Sequence, residues 1–265
     1  FFRANFYGCL MALYVDVPFY NETITIEGAF AMGRHDANDI LKEVYADFDY
    51  AIANLPEENS GSSVSRVNKG AAIAMKARVA LWMSDWEVVR DETKKLIDLD
   101  LYSLYPDYQA FFESKKIESE TIFSLPRSRD LTVVWSTKNF MPRTVGGNAV
   151  AQPSWELLAI YPCTDGLLID ESPLFDPKKP FQNRDPRLSA TIVEFGSEFL
   201  GVIYDPDPRA KKVLNVNTGQ MVEHKDTKGY TQHASYNGLK LRKYDDQNWH
   251  ADQADNPIVI MRYAD

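Results

Sequence analysis

The sequence predicts a mainly α-helical fold in which paired helices carry a loop-rich irregular half containing short strands and helices. Three observations predict it. Residues 66–108, RVNKGAAIAMKARVALWMSDWEVVRDETKKLIDLDLYSLYPDY, give an alanine-lined helix, a tight turn, an amphipathic partner and an aromatic coil. Residues 37–55 carry Ile40, Leu41, Val44, Tyr45, Phe48, Ala51, Ile52 and Leu55 at spacings of three and four, the helical period. Beyond Leu101 that period thins, and Pro, Gly, Asn and Asp recur every few residues from Pro106 to Pro257.

Taken in order, Phe2, Phe6, Leu10 and Leu13 mark a helix over residues 1–14, which ends before Pro18 because proline pushes its predecessor out of helical space. Residues 20–35 read as a polar connection containing Gly28 and Gly33. The helix over 37–55 is closed by Pro56, and 57–65 (EENSGSSVS) is a flexible loop by composition. In the next helix Ala71, Ala72, Ala74, Ala77 and Ala80 surround Ile73, Met75, Val79 and Leu81, so a neighbouring helix can approach closely. Its partner starts after Ser84-Asp85, an N-cap with Glu87 behind it. Trp86, Val89, Thr93, Leu96 and Ile97 then share one face, and Glu87, Arg90, Asp91, Lys94 and Lys95 are left for water. Helix, three-residue turn and helix make one unit of a tetratricopeptide-like repeat, which buries its faces by stacking on neighbours and serves binding. Trp82 and Trp86 are expected within that packing.

The second half is read more coarsely. Residues 121–125 and 188–193 are strands or short helices, and 132–134 and 201–204 have a β-branched or aromatic flavour. Pro153-Ser154-Trp155-Glu156 starts a helix, with Trp155, Leu157, Leu158 and Tyr161 inward. Residues 257–265 (PIVIMRYAD) read as the start of a further helix returning to the scaffold. The expected organisation is a helical scaffold over 1–100, an irregular subdomain over 101–256 and that final segment. Periodic segments run into both ends, so the chain reads as part of a longer protein.

The formal net charge is −9 and 12% of residues are aromatic. Phosphate backbones are repelled by such a surface, and the dispersed pairs Lys115-Lys116, Lys178-Lys179 and Lys211-Lys212 do not form a patch, so nucleic acid is excluded as a partner. Two cysteines, Cys9 and Cys163, imply no disulfide framework and read as unpaired thiols. No stretch approaches the roughly 18 consecutive apolar residues of a membrane span.

Catalysis finds little support. His35, His224, His233 and His250 lie in polar contexts without a helical ligand partner at i+3 or i+4, so no metal or cofactor is expected. Gly146-Gly147 stands alone, outside any phosphate-cradling loop, and there is no nucleophile elbow. Asp205-Pro206-Asp207-Pro208 lacks calcium-loop spacing and reads as a rigid turn. Aromatic residues in polar loops are the better candidates, because sugar C–H faces pack on flat rings while hydroxyls need fixed polar partners. Trp135, followed by Asn139, Phe140 and Arg143, and Trp249, beside Gln247, Asn248 and His250, are the chosen ligand-binding residues. The competing role for each tryptophan is to anchor its long loop to the body.

Eight blocks in order give a more specific reading: FFRANFYGCLMALYVDVPFY (1–20), DANDILKEVYADFDYAIANLP (36–56), KGAAIAMKARVALWMSDWEVV (69–89), LYSLYPDYQAFF (101–112), ETIFSLP (120–126), PSWELLAIYPCTDGLLI (153–169), NRDPRLSATI (183–192) and PIVIMRYAD (257–265). Together they resemble the SusD/RagB family, carbohydrate-binding outer-membrane lipoproteins of gut and oral Bacteroidetes. The resemblance implies a non-enzymatic protein, lipid-anchored through an upstream segment at the cell surface, that binds glycan and delivers it to a SusC-like TonB-dependent transporter. Some relatives handle peptides. A helical-repeat scaffold for protein partners and a glycan-processing enzyme are the readings from other classes.

Overall fold

The structure, a computed structural model, describes residues 1–60, 66–227, 237–244 and 253–265. It is mainly helical and divides into two compact units. The first comprises residues 1–104, 117–125 and 258–265, so the division falls near residue 104 and two later segments rejoin the helical part.

In the helical unit, α1 (Phe2–Tyr14), α2 (Ile26–Ala31), α3 (Ala37–Asn54), α4 (Lys69–Trp82) and α5 (Trp86–Asp98) follow in order. The longer helices after α1 start at side-chain caps. Asp36 accepts the Asn38 N–H at 2.8 Å, Asn68 the Ala71 N–H at 2.8 Å, and Asp85 the Val88 N–H at 3.4 Å. Each cap satisfies one of the orphan donors of a first turn. The core joins Ala4, Tyr7 and Met11 to Ile40, Val44 and Phe48, and to Ala71, Ala74, Met75 and Val79 of the alanine-rich helix. Helices α4 and α5 form the expected hairpin. Lys76 is buried in it, held by Asp49 at 2.6 Å and by the buried Glu92 at 2.9 Å, so one ammonium links α3, α4 and α5.

Three expectations are corrected here, and the expected first helix shows which of its faces is buried. Residues 26–31 form a helix inside the segment read as a connection; it buries none of its residues, so no hydrophobic period announces it. On α1 the inward face is Ala4, Tyr7, Gly8 and Met11, while Phe2, Phe6, Leu10 and Leu13 stand exposed. The small residue decides this, since a Cβ at Gly8 would collide with the Val79 side chain of α4. Trp82 and Trp86 flank the hairpin turn and are exposed, because alanines and not indoles fill the face of α4 that is buried. Finally, residues 257–265 do not start a helix. Ile258–Arg262 is a strand, paired antiparallel with Thr121–Leu125. The β-branched run Ile258-Val259-Ile260 favours the extended chain, and Arg78 of α4 donates to the Ile260 carbonyl at 2.7 Å.

The second unit, residues 105–116 and 126–257, contains α6 (Tyr108–Glu113), α7 (Trp155–Ile160) and α8 (Pro186–Thr191). With Thr121–Leu125 as β1, a four-stranded antiparallel meander follows: β2 (Glu198–Phe199), β3 (Val202–Ile203), β4 (Lys212–Asn215) and β5 (Gln220–Glu223), and Ile258–Arg262 is β6. The open choice at 188–193 resolves mostly to helix, because Asp185 caps it and Pro186 occupies its first turn. Leu158, Phe181, Leu188, Ile192 and Leu239 form one core, and Met141, Val193, Phe199 and Tyr204 a second. Trp155 and Leu157, expected inward, are exposed; only Leu158 of α7 is buried. The buried Arg184 donates to the carbonyls of Pro180, Leu158 and Tyr161 at 2.7–2.8 Å and ties the end of α7 to the turn before α8.

Candidate functional site

The irregular unit contains an arc of aromatic rings built from three separate segments. Asp107 caps α6 by accepting the Ala110 N–H at 2.9 Å, and the helix then sets Tyr108 and Phe112 one turn apart on one face. Their centroids are 5.1 Å apart with the planes at 68°. Phe112 meets Tyr244 edge-on at 5.1 Å, Tyr244 meets Trp135 at 5.8 Å and 90°, and Trp135 meets Phe140 at 6.2 Å. These separations are those of attractive edge-to-face pairs.

Backbone geometry fixes the middle of the arc. Tyr244 has φ 66°, a left-handed conformation that costs a non-glycine residue about 1 kcal/mol. Just before it, Arg242 and Lys243 donate their backbone N–H groups to the Thr191 carbonyl at 2.8 and 3.3 Å. The fully buried Asn256 clasps two other segments. Its side-chain amide donates to the Glu113 carbonyl at 2.9 Å, and its own carbonyl accepts the Trp135 indole N–H at 3.2 Å. Trp135 also exchanges both backbone hydrogen bonds with Ala254 at 3.0 Å. Trp135 is therefore a loop anchor whose ring remains half-exposed.

Around the rings stand polar groups. Lys243 places its ammonium 3.9 Å from the Phe112 centroid and 5.4 Å from that of Tyr108. Asn139 is exposed and accepts a 3.1 Å hydrogen bond from the Asn148 side chain. Tyr161, bonded to Thr191 at 2.9 Å and to Tyr108, has its phenol pKa pushed up by burial. Arg187, beside them, is matched by Asp185.

Of the five residues chosen from sequence, the structure brings Trp135 and Phe140 into one ring pair, with Asn139 next to Phe140 in the chain. Arg143 belongs to a different cluster. It opens a short 3-10 turn over Arg143–Val145, and the buried Asp226 accepts its N–H at 3.0 Å, the Thr144 N–H at 3.0 Å and the Thr144 hydroxyl at 2.7 Å. Asp226 also pairs with the buried Lys240 at 2.9 Å. Burial opposes ionisation of Asp226, but Lys240 and Thr144 outweigh it and hold the carboxyl below its usual range. Trp249 lies outside the described residues. Sequence reasoning missed Tyr108, Phe112, Lys243 and Tyr244. The density of aromatics in LYSLYPDYQAFF was a signal for the first pair, and Lys243-Tyr244 directly before a polar stretch a weaker one for the second.

A second exposed aromatic stands elsewhere in this unit. Trp155 donates its indole N–H to the Asn237 carbonyl at 3.1 Å and meets Phe195 at 6.4 Å. Phe195 lines a cavity of about 200 Å³ with Lys178, Lys179, Gln182 and Glu194. Both cysteines are free thiols. No helix among the described residues is long and apolar enough to cross a membrane.

Tyr108, Trp135, Phe140 and Tyr244 are half-buried and Phe112 between them is buried. The half-buried rings, with amide and ammonium donors at their margin, suit a ligand that is flat and apolar on one side and hydroxylated at its edge. The profile of the SusD family matches residues 119–265, more than half of the chain. The chain belongs to the SusD family. The SusD-like protein P25 of Formosa agariphila is 31% identical over 136 residues, which are 49% of this chain and 25% of that relative. A SusD-like carbohydrate binding protein from Bacteroides fragilis shares the fold with a TM-score of 0.85 at 25% identity, over 99% of this chain and 51% of that one. A further SusD-like protein from the same species gives a TM-score of 0.75 at 24% identity, over 99% of this chain and 54% of its own length. This SusD-family chain thus spans about half the length of the solved structures it matches.

Proposed function

We propose that this SusD-family chain captures oligosaccharide without breaking bonds, through the arc of Tyr108, Tyr244, Trp135 and Phe140 with Asn139 at its margin. The observation that carries the reading is the continuous series of edge-to-face rings, which holds each ring rigid and leaves faces for sugar C–H surfaces. Family membership supports it, as does the likeness to a Bacteroides fragilis protein described as carbohydrate binding. The finer reading follows the family. The protein is held at the outer-membrane surface by a lipid anchor upstream and passes its glycan to a SusC-like TonB-dependent transporter. On that reading the exposed residues of the helical hairpin, Leu81, Trp82, Trp86 and Ile97, face the transporter.

Titrating the intact protein with a panel of oligosaccharides and peptides tests the ligand class. Saturable binding of at least one oligosaccharide is expected. Binding of peptides alone would move the assignment to peptide uptake, and binding of protein partners alone would favour a helical scaffold.

A further inference from the structure

Lys243 is held differently from the paired cations of this unit. Lys240 is matched by Asp226, Arg187 by Asp185, and Lys115 and Arg129 by Asp255. Among the described residues no carboxylate lies within ion-pair distance of Lys243; its ammonium is seated on the faces of Phe112 and Tyr108. Other cations among the described residues, Lys138 and Arg242 of this region included, also have no carboxylate within ion-pair distance; what sets Lys243 apart is that its ammonium is seated on two rings of the arc. Lys243 is fixed on it, by the two rings at its head and by the Thr191 carbonyl at its backbone.

A ring face attracts an ammonium through its quadrupole and uses up none of its N–H donors in conventional hydrogen bonds. The side of the ammonium turned away from the rings therefore keeps donors for an acceptor, and an anionic acceptor gains a charge-assisted bond about twice as strong as a neutral one. The chain as a whole carries −9, so an acidic ligand gains nothing from the general field and needs a local cation.

We propose that the glycan is acidic, carrying a uronate carboxylate or a sulfate ester, and that Lys243 receives this group while neighbouring sugar rings lie on Trp135 and Phe140. This rests on the proposal that the arc binds glycan and adds the ligand's charge to it. Carboxylate and sulfate share the chemistry that Lys243 reads, so the experiment separates them.

The intact protein is titrated with oligogalacturonate and its methyl ester, and with a sulfated galactan oligosaccharide and its desulfated form. One acidic member is expected to bind on the order of tenfold more tightly than its uncharged counterpart, the size of one hydrogen bond to a charged group. Its affinity should fall as salt rises from 50 to 500 mM, as screening of a partly exposed pair requires. Lys243→Met should abolish the difference between charged and uncharged forms, and Lys243→Arg should keep it. If Lys243→Met fails to fold, the wild-type comparison and Lys243→Arg still decide the matter. Equal affinity for charged and uncharged forms, or a preference that survives in Lys243→Met, overturns the acidic ligand while leaving glycan binding intact. Failure of every oligosaccharide, neutral or acidic, to bind overturns both.

Discussion

The indole N–H of Trp135 is donated to the backbone carbonyl of Asn256 at 3.2 Å, so this side chain meets any ligand with its ring face and not with its polar edge. Anchor and platform can be separated on that basis. Trp135→Phe keeps an aromatic face and loses the hydrogen bond. It should lower stability by about 1 kcal/mol, the usual net worth of one such bond, while glycan affinity changes little. Trp135→Ala removes both and should weaken glycan binding roughly tenfold, within the worth of an aromatic contact. Calorimetric titration beside thermal unfolding reads the two effects. A Trp135→Ala protein that loses stability but binds unchanged would reduce the residue to an anchor.

Asp226 and Lys240 are paired at 2.9 Å with both side chains buried. Removing one partner strands the other charge, so Asp226→Asn should cost about 3–5 kcal/mol in urea denaturation. The double variant Asp226→Asn, Lys240→Met should recover part of that loss, because it leaves no buried charge unmatched. If the double variant is as unstable as the single one, the pairing energy is not the cause.

The same carboxylate gives a pH dependence. The folded-state pKa of Asp226 lies below its ordinary value of 3.8, with burial opposed and outweighed by Lys240 and Thr144. A depressed carboxylate stabilises the fold above the unfolded value, and the contribution is lost as pH falls through the folded one. Wild-type stability should therefore drop below about pH 4, and the drop should be shallower in Asp226→Asn. Equal slopes in the two proteins would remove Asp226 as the acid-sensitive group.

Gly8 tests the helical unit independently. A Cβ there would collide with the Val79 side chain, so Gly8→Ala should destabilise by about 1–3 kcal/mol despite alanine's better helix propensity. A stabilised Gly8→Ala would mean that α1 can move away from α4 at little cost.

The sequence was most legible where one residue type determines local geometry. Asp85 caps the helix it precedes, as read from the sequence, and the alanines after Gly70 line the buried face of the hairpin. It was least legible where the outcome depends on what lies opposite. The pattern of Phe2, Phe6, Leu10 and Leu13 has the helical period, but period does not say which face a neighbour covers, and Gly8 chose the other one. A short apolar run such as Ile258–Met261 fits strand or helix equally until β1 is available to pair with it. The arc was half visible. Trp135 and Phe140 are near in sequence, whereas Tyr108, Phe112 and Tyr244 reach them only through α6, Asn256 and the strained backbone at Tyr244. Tryptophans expected in packing, Trp82, Trp86 and Trp155, proved exposed because indoles at helix ends and turns have one side without neighbours.

Hydroxyl-radical footprinting of the intact protein, with and without a saturating oligosaccharide, tests the central claim most directly. Protection should appear at Trp135, Phe140 and Tyr108, with Trp155 and Trp86 unchanged. Protection confined to Trp155 and Phe195, or none on the arc while the sugar is bound, would contradict it.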